Sequence, residues 1–311
     1  MQENQTEKVK KRSGMQSYKK QSLIFYVTMM ALPIAVVLVF YLYVNIRSFT
    51  LAFQRYDYEK GFLLNGFNNF FDIFEDFKTE EFLVHSVKNS LELFFWTFIF
   101  SAMLSVLFSY YVYKDHLFSG IFKVILYMPH IISGVVFVVM YKYFVDVAIP
   151  GIHKLIYGEQ ILGLIANNNT RRVTIIVYTI WVSFGTNVLM YTSAMSSISP
   201  SIIESAQLDG IKPYQELIYI VIPCIWSTFV TFMIVSIVGI FTNQMSLFTF
   251  YGTQAPKELY TFGYYLYAAV IDAEQGVYPY LSAMGMLLTA VAIPVTLLAR
   301  YLLNKFGPKV V

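Results

Sequence analysis

Six stretches of the chain, at about 22–44, 89–112, 121–144, 173–195, 217–241 and 280–303, are apolar enough to cross a bilayer. A helix rises about 1.5 Å per residue and the hydrocarbon layer is about 30 Å deep, so roughly 20 apolar residues suffice. Lipid offers the backbone no hydrogen-bond partners, so each stretch is predicted to be a helix. The fold class expected is an all-α polytopic membrane protein, with one transmembrane domain over 22–304 between polar tails at 1–21 and 305–311. Composition agrees: 13% of residues are charged, against about 25% in soluble domains. The first apolar run follows a charged tail and is too long for a signal core, so no cleavable signal is expected. Pro33 is predicted to bend the first span, Pro129 and Gly134 to bend or open the third, and Pro223 to interrupt the fifth near its start. Ser101, Ala102 and Ser105 form a small-residue face suited to close helix packing.

Charge sets the orientation. With the N-terminus inside, the inner segments carry Lys8, Lys10, Lys11, Arg12, Lys19, Lys20, Lys114, Lys123, Lys212, Arg300, Lys305 and Lys309, which outnumber their acids. In the outer segments acids outnumber bases. This predicts both termini in the cytoplasm. Net charge is only +3, and no nucleic-acid partner is expected; the basic tail adjoins a span. The outer segment 45–87 carries Phe67, Phe70, Phe71, Phe74 and Phe77 at helix-like intervals, suited to lying on the membrane or packing over the spans. The aromatic run Tyr260–Tyr267 suits a helix at the membrane interface.

Several chemistries lack their residues. There is no Gly-x-x-x-x-Gly-Lys-Ser/Thr loop for ATP and no His-Glu-x-x-His for zinc. His85, His116, His130 and His153 are scattered, and Cys224 stands alone in an apolar run. No cofactor or metal is expected on this chain, and no catalytic residue. No span midpoint carries a clear charge, which disfavours an ion-coupled carrier.

The polar stretch Ser199–Glu216 lies between the fourth and fifth spans. Ser199 is placed to cap a short helix, Pro200 to begin it, and Glu204 to sit in its early part. Gly210 is expected to end it in the left-handed conformation, and Pro213 to begin a second helix. Such a unit is too small to fold alone and must dock on something; the plainer reading is an ordinary interhelical loop.

Glu204-Ser205-Ala206, Asp209-Gly210 and Ile222-Pro223 resemble the Glu-Ala-Ala…Gly…Leu-Pro motif of ABC importer permeases, with Ser205 in place of the first alanine. Asn68 and Phe70, the run 83–90 and Pro129 are similar to features of the carbohydrate, maltose-type branch in its short six-span form, and the resemblance extends over about 23–307. It implies the type I importer fold, with a coupling helix at about 200–210 that inserts into a separate ATPase. Glu204, Ser205, Ala206, Asp209, Gly210 and Pro223 would serve that coupling. The implied partners are a second homologous permease, two cytoplasmic ATPase subunits that bind ATP and Mg, and an extracellular or periplasmic sugar-binding protein. The implied location is the bacterial cytoplasmic membrane, in contact with lipid.

The resemblance also places substrate-path residues at Ser183, Thr186, Ser236, Gly239, Ile240 and Asn243. Asn187 and Tyr191 share the helical side of Ser183 and join them. Hydroxyls and amides suit a sugar or oligosaccharide. Gly239 and Ile240 lack the aromatic face and amide of the maltose relative, so maltose itself is not expected. Each Ser or Thr can equally bond a helix carbonyl. The alternatives are an importer permease for a non-sugar solute and, more remotely, a secondary carrier or membrane enzyme.

Overall fold

The computed structural model describes residues 20–308; the basic tail up to residue 19 and Lys309 lie outside them. Helix α1 (Lys20–Ala52) is followed by a hairpin of β1 (Gln54–Asp57) and β2 (Gly61–Leu64), then α2 (Asn68–Thr79) and α3 (Glu81–Tyr113). Next come α4 (Ser119–Ile131), α5 (Gly134–Tyr157), α6 (Asn168–Ser196), α7 (Pro200–Leu208), α8 (Pro213–Cys224) and α9 (Trp226–Val238). The chain ends with α10 (Leu247–Tyr251), α11 (Phe262–Ile271) and α12 (Tyr278–Phe306). Helices α1, α3, α5, α6 and α12 are each long and apolar enough to cross a membrane, and the bent pair α8–α9 makes a sixth span if counted as one.

The proline expectations divide. Helix α1 runs unbroken through Pro33 and widens into a π-helical turn at Val37–Tyr43, which starts four positions beyond the proline. The third stretch does open: Ile132 and Ser133 take extended conformations between α4 and α5, just after Pro129 has removed a backbone donor, so the helix long enough to cross is α5 at Gly134–Tyr157 and not the expected 121–144. In the fifth, the break falls at Ile225, two residues beyond Pro223, where α8 and α9 meet at 74°. Pro223 itself remains helical, and buried Ile225 takes the corner.

The segment 45–87 contains a strand pair that periodicity does not show. The Asp57 carboxylate accepts the amides of Glu59 and Lys60 at 3.0 Å, which closes the turn. Buried Asn69 donates to the carbonyls of Ala52 and Gln54, both at 2.8 Å, and so ties α2 to the end of α1 and to the hairpin. The phenylalanine row splits accordingly. Phe70 and Phe77 pack with Ile73 against α11 and α12, whereas Phe67, Phe71 and Phe74 stay exposed.

The bundle is built on α3 and α6, which pack together more extensively than any other pair. Ser105 and Ser109 of α3 donate to the Phe184 and Val188 carbonyls of α6, at 3.4 and 3.0 Å, so the small-residue face permits close approach and adds bonds across the contact. Helix α4 crosses α6 at Gly185, where an added Cβ would lie 2.0 Å from the Leu126 carbonyl oxygen. Helix α1 packs on α12 mainly through its last turns, Val44–Ala52; none of its most apolar part is buried by the described residues.

Candidate functional site

Helices α3, α6 and α9 enclose a cleft of about 330 Å³, within the range of small-molecule sites. One side of α6 contributes Thr179, Ser183, Asn187 and Tyr191, at successive fourfold spacing along the helix. The end of α9 and the turn beyond it contribute Ser236, Gly239, Ile240 and Asn243. Seven of the eight path residues expected from the sequence therefore line one cavity; Thr186 is the exception. It is one residue from Asn187, about 100° round the helix, and its hydroxyl meets His130 Nε2 of α4 instead.

The facing wall comes from α3, through Ser90, Phe94, Thr97, Phe98, Ser101 and Ala102. The sequence reading used Ser101 and Ala102 only as packing residues. The available signal was the recurrence of small and polar side chains along one stripe from Ser90 to Ser101. Thr97 and Thr179 donate to the carbonyls four residues earlier, at 2.7 and 2.9 Å, as the plainer reading of such side chains holds. Ser101 differs: its Oγ is buried and has no partner among the described residues. Asn243 is partly committed, since its side-chain oxygen accepts the Met245 amide at 2.7 Å. Among the described residues, no Asp, Glu, Lys, Arg or His lines the cleft. It offers hydroxyls, amides and aromatic faces, a chemistry that orients an uncharged polar ligand.

The elbow lies between α6 and α8. Helix α7 begins at Pro200, but the Ser199 side chain makes no capping bond; its hydroxyl pairs with that of Ser201 at 2.8 Å. Glu204 falls in the second turn, beyond reach of the helix N-terminus, so the favourable dipole contact expected for it is absent. Gly210 does take the left-handed conformation, with φ +76°. The Gly210 and Ile211 amides close the helix end on the Gln207 and Ala206 carbonyls, at 3.0 and 3.2 Å. An alanine there would be strained by roughly 1 kcal/mol or more. Pro213 then starts α8, and the Gln215 side chain accepts the Lys212 amide at 3.0 Å.

Only one side of α7 is held by the bundle. Ile203 is buried with Val106, Tyr191, Met195, Leu217 and Val221. Glu204, Ser205, Asp209 and Gly210 are exposed, Ala206 and Pro223 are half-buried, and Leu208 is 89% exposed. Glu216 is the acid that sequence reasoning passed over. It is buried and paired with Lys114 at the end of α3; in sequence the two lie too far apart to suggest the contact.

Comparisons with known proteins bear on this arrangement. A family profile described as "Binding-protein-dependent transport system inner membrane component" matches residues 99–311. The chain is 26% identical over 292 residues to the polygalacturonan/rhamnogalacturonan transport system permease protein YteP of Bacillus subtilis (strain 168), covering 91% of this chain and 88% of YteP. It is 27% identical over 171 residues to protein LplB of the same organism, covering 53% of this chain and 51% of LplB. Among solved structures it resembles a chain of a bacterial ABC transporter involved in the import of the acidic polysaccharide alginate, with TM-score 0.72 and 21% identity over 92% of this chain and 97% of that one. A second structure, of a bacterial alginate ABC transporter in complex with an alginate pentasaccharide-bound periplasmic protein, gives TM-score 0.76 at 21% identity, covering 94% and 99%. At that identity the likeness is one of fold, the all-α fold of ABC importer permeases. The profile match runs through the elbow, both spans that flank it and most of the cleft, and on that ground the chain belongs to the binding-protein-dependent transport system inner membrane components, permeases of ABC transporters.

Proposed function

We propose that this chain is a membrane subunit of an ATP-driven sugar or oligosaccharide importer, supplying half of the path and docking a separate ATPase through α7. One observation carries the reading: the helices that flank the elbow also wall an uncharged cleft of hydroxyl, amide and aromatic groups. The carbohydrate names of YteP and of the alginate transporter support a saccharide substrate. The hydroxyl, amide and aromatic lining, with no cation among the described residues, supports neutral sugar units as the part held here. In this reading Ser183, Asn187, Tyr191, Ser236 and Asn243 line the path, and the exposed Glu204, Ser205, Asp209 and Gly210 face the ATPase. ATP and Mg are bound by that partner, a second permease completes the path, and an external binding protein delivers the sugar.

The test is uptake by the four-subunit complex and its binding protein in vesicles, against a panel of neutral and acidic oligosaccharides. Asn187→Leu is expected to slow uptake of the best substrate about tenfold, the loss of about one neutral hydrogen bond. ATPase assembly should be unaffected. Assembly and ATP hydrolysis without uptake of any saccharide would overturn the reading.

The same reading places both termini in the cytoplasm and the β1–β2 hairpin outside. Asn68→Cys, in a Cys224→Ser background, should react with an impermeant thiol reagent added outside intact cells. Protection there, with reaction only after the cells are opened, would reverse the orientation.

A further inference from the structure

We propose that Lys114 and Glu216 form a buried ionic latch that makes α3 move with the elbow, so that both are positioning residues for transport. The proposal rests on the reading that α7 receives the ATPase. Glu216 is only 3% exposed, six residues beyond the Gly210 turn. Its carboxylate contacts Nζ of Lys114, the residue just past the end of α3. That ammonium lies 5.6 Å from the ring centroids of both Tyr110 and Tyr113. The Tyr110 hydroxyl donates to the Pro213 carbonyl at 3.1 Å. The first and fourth residues of α8 are thus both tied to the last turn of α3.

From that turn α3 runs back to the cleft, where it supplies Ser101, Thr97 and Phe94. The elbow also reaches the cleft by an apolar route: Ile203 and Leu217 share a cluster with Tyr191, which lines the cavity from α6. The two routes differ physically. Apolar contacts are non-directional and can slide. Glu216 is buried while Lys114 is half-buried, so the pair cannot separate without leaving the Glu216 charge uncompensated in a low-dielectric site. When the elbow shifts, α3 must follow or the pair must break. A well-packed apolar pair would hold the same two helices at least as firmly, so stability alone does not call for these charges. Their distinctive contribution is to fix which part of α3 follows the elbow.

The experiment uses the complete importer, with both ATPases and the sugar-loaded binding protein, in vesicles. It compares Glu216→Gln, Lys114→Met, the reversed pair Lys114→Glu with Glu216→Lys, and the apolar pair Lys114→Met with Glu216→Leu. Sugar moved per ATP hydrolysed is read alongside thermal stability and ATPase co-purification. The single variants should lose at least about fivefold in sugar moved per ATP, the lower end of ordinary coupling between sites. The reversed pair should recover it in part. The apolar pair should match the wild type in stability and still be uncoupled, which a merely structural role would not produce. Wild-type coupling in the apolar pair or in Glu216→Gln would overturn the latch. Failure of the wild-type chain to co-purify an ATPase would overturn the proposed function instead.

Discussion

Glu204→Lys should abolish substrate-stimulated ATP hydrolysis by the assembled importer while leaving this chain folded and inserted. Glu204 is exposed on α7, so the bundle itself has no stake in its charge. Seated in a partner's cleft, the same carboxylate must be paired with a cation or with backbone amides. Reversing a desolvated charge costs about 2–5 kcal/mol, roughly 30-fold or more in affinity. Glu204→Gln keeps the shape and should give a milder loss. Co-purification of the ATPase and stimulated hydrolysis in nanodiscs are the measurements. Wild-type values for Glu204→Lys would make Glu204 a plain surface residue and leave docking to exposed Ile202 and Leu208.

Gly185→Ala should cost the most stability among small substitutions in the spans. The added Cβ would lie 2.0 Å from the Leu126 carbonyl oxygen and 3.1 Å from its carbon. Both partners are backbone, so no rotamer change relieves the contact, and α4 must move away from α6. Overpacking of this kind typically costs about 1–3 kcal/mol. Because α6 carries Ser183 and Asn187 on the neighbouring turns, uptake should fall with stability. Gly285→Ala is the control: it lies in α12 with open space around the new methyl, and exchanging glycine for alanine in a helix gains up to about 1 kcal/mol. A melting temperature for Gly185→Ala equal to that of the control would contradict the close crossing.

The elbow was legible in the sequence because its determinants are local. Pro200 and Pro213 mark two helix starts, and Gly210 between them needs only its own backbone freedom to turn the chain. Ser199 misled for the opposite reason. A capping side chain has to win its partner against nearby alternatives, and Ser201 was closer at hand. The cleft residues on α6 were legible because helical spacing alone puts Ser183, Asn187 and Tyr191 on one side. The resemblance placed Thr186 among them, but it lies about 100° round the helix from Asn187 and its hydroxyl meets His130 of α4.

By itself the sequence located five of the six apolar stretches on helices long enough, singly or as the bent pair, to cross a membrane, and it showed where the chain leaves them for the elbow. Both follow from residues adjacent along the chain: length of apolar run, charge at its ends, and the conformations open to proline and glycine. Tertiary structure decided what depends on helices distant in sequence. It chose α3 as the second wall of the cleft and brought Lys114 onto Glu216. It also tied the β1–β2 hairpin to α2 through Asn69 and moved the break in the fifth span to Ile225. Apolar helices carry no directional instruction about their neighbours. Close approach at Ser105, Ser109 and Gly185 supplies it, and only the folded bundle shows which carbonyls those small residues meet.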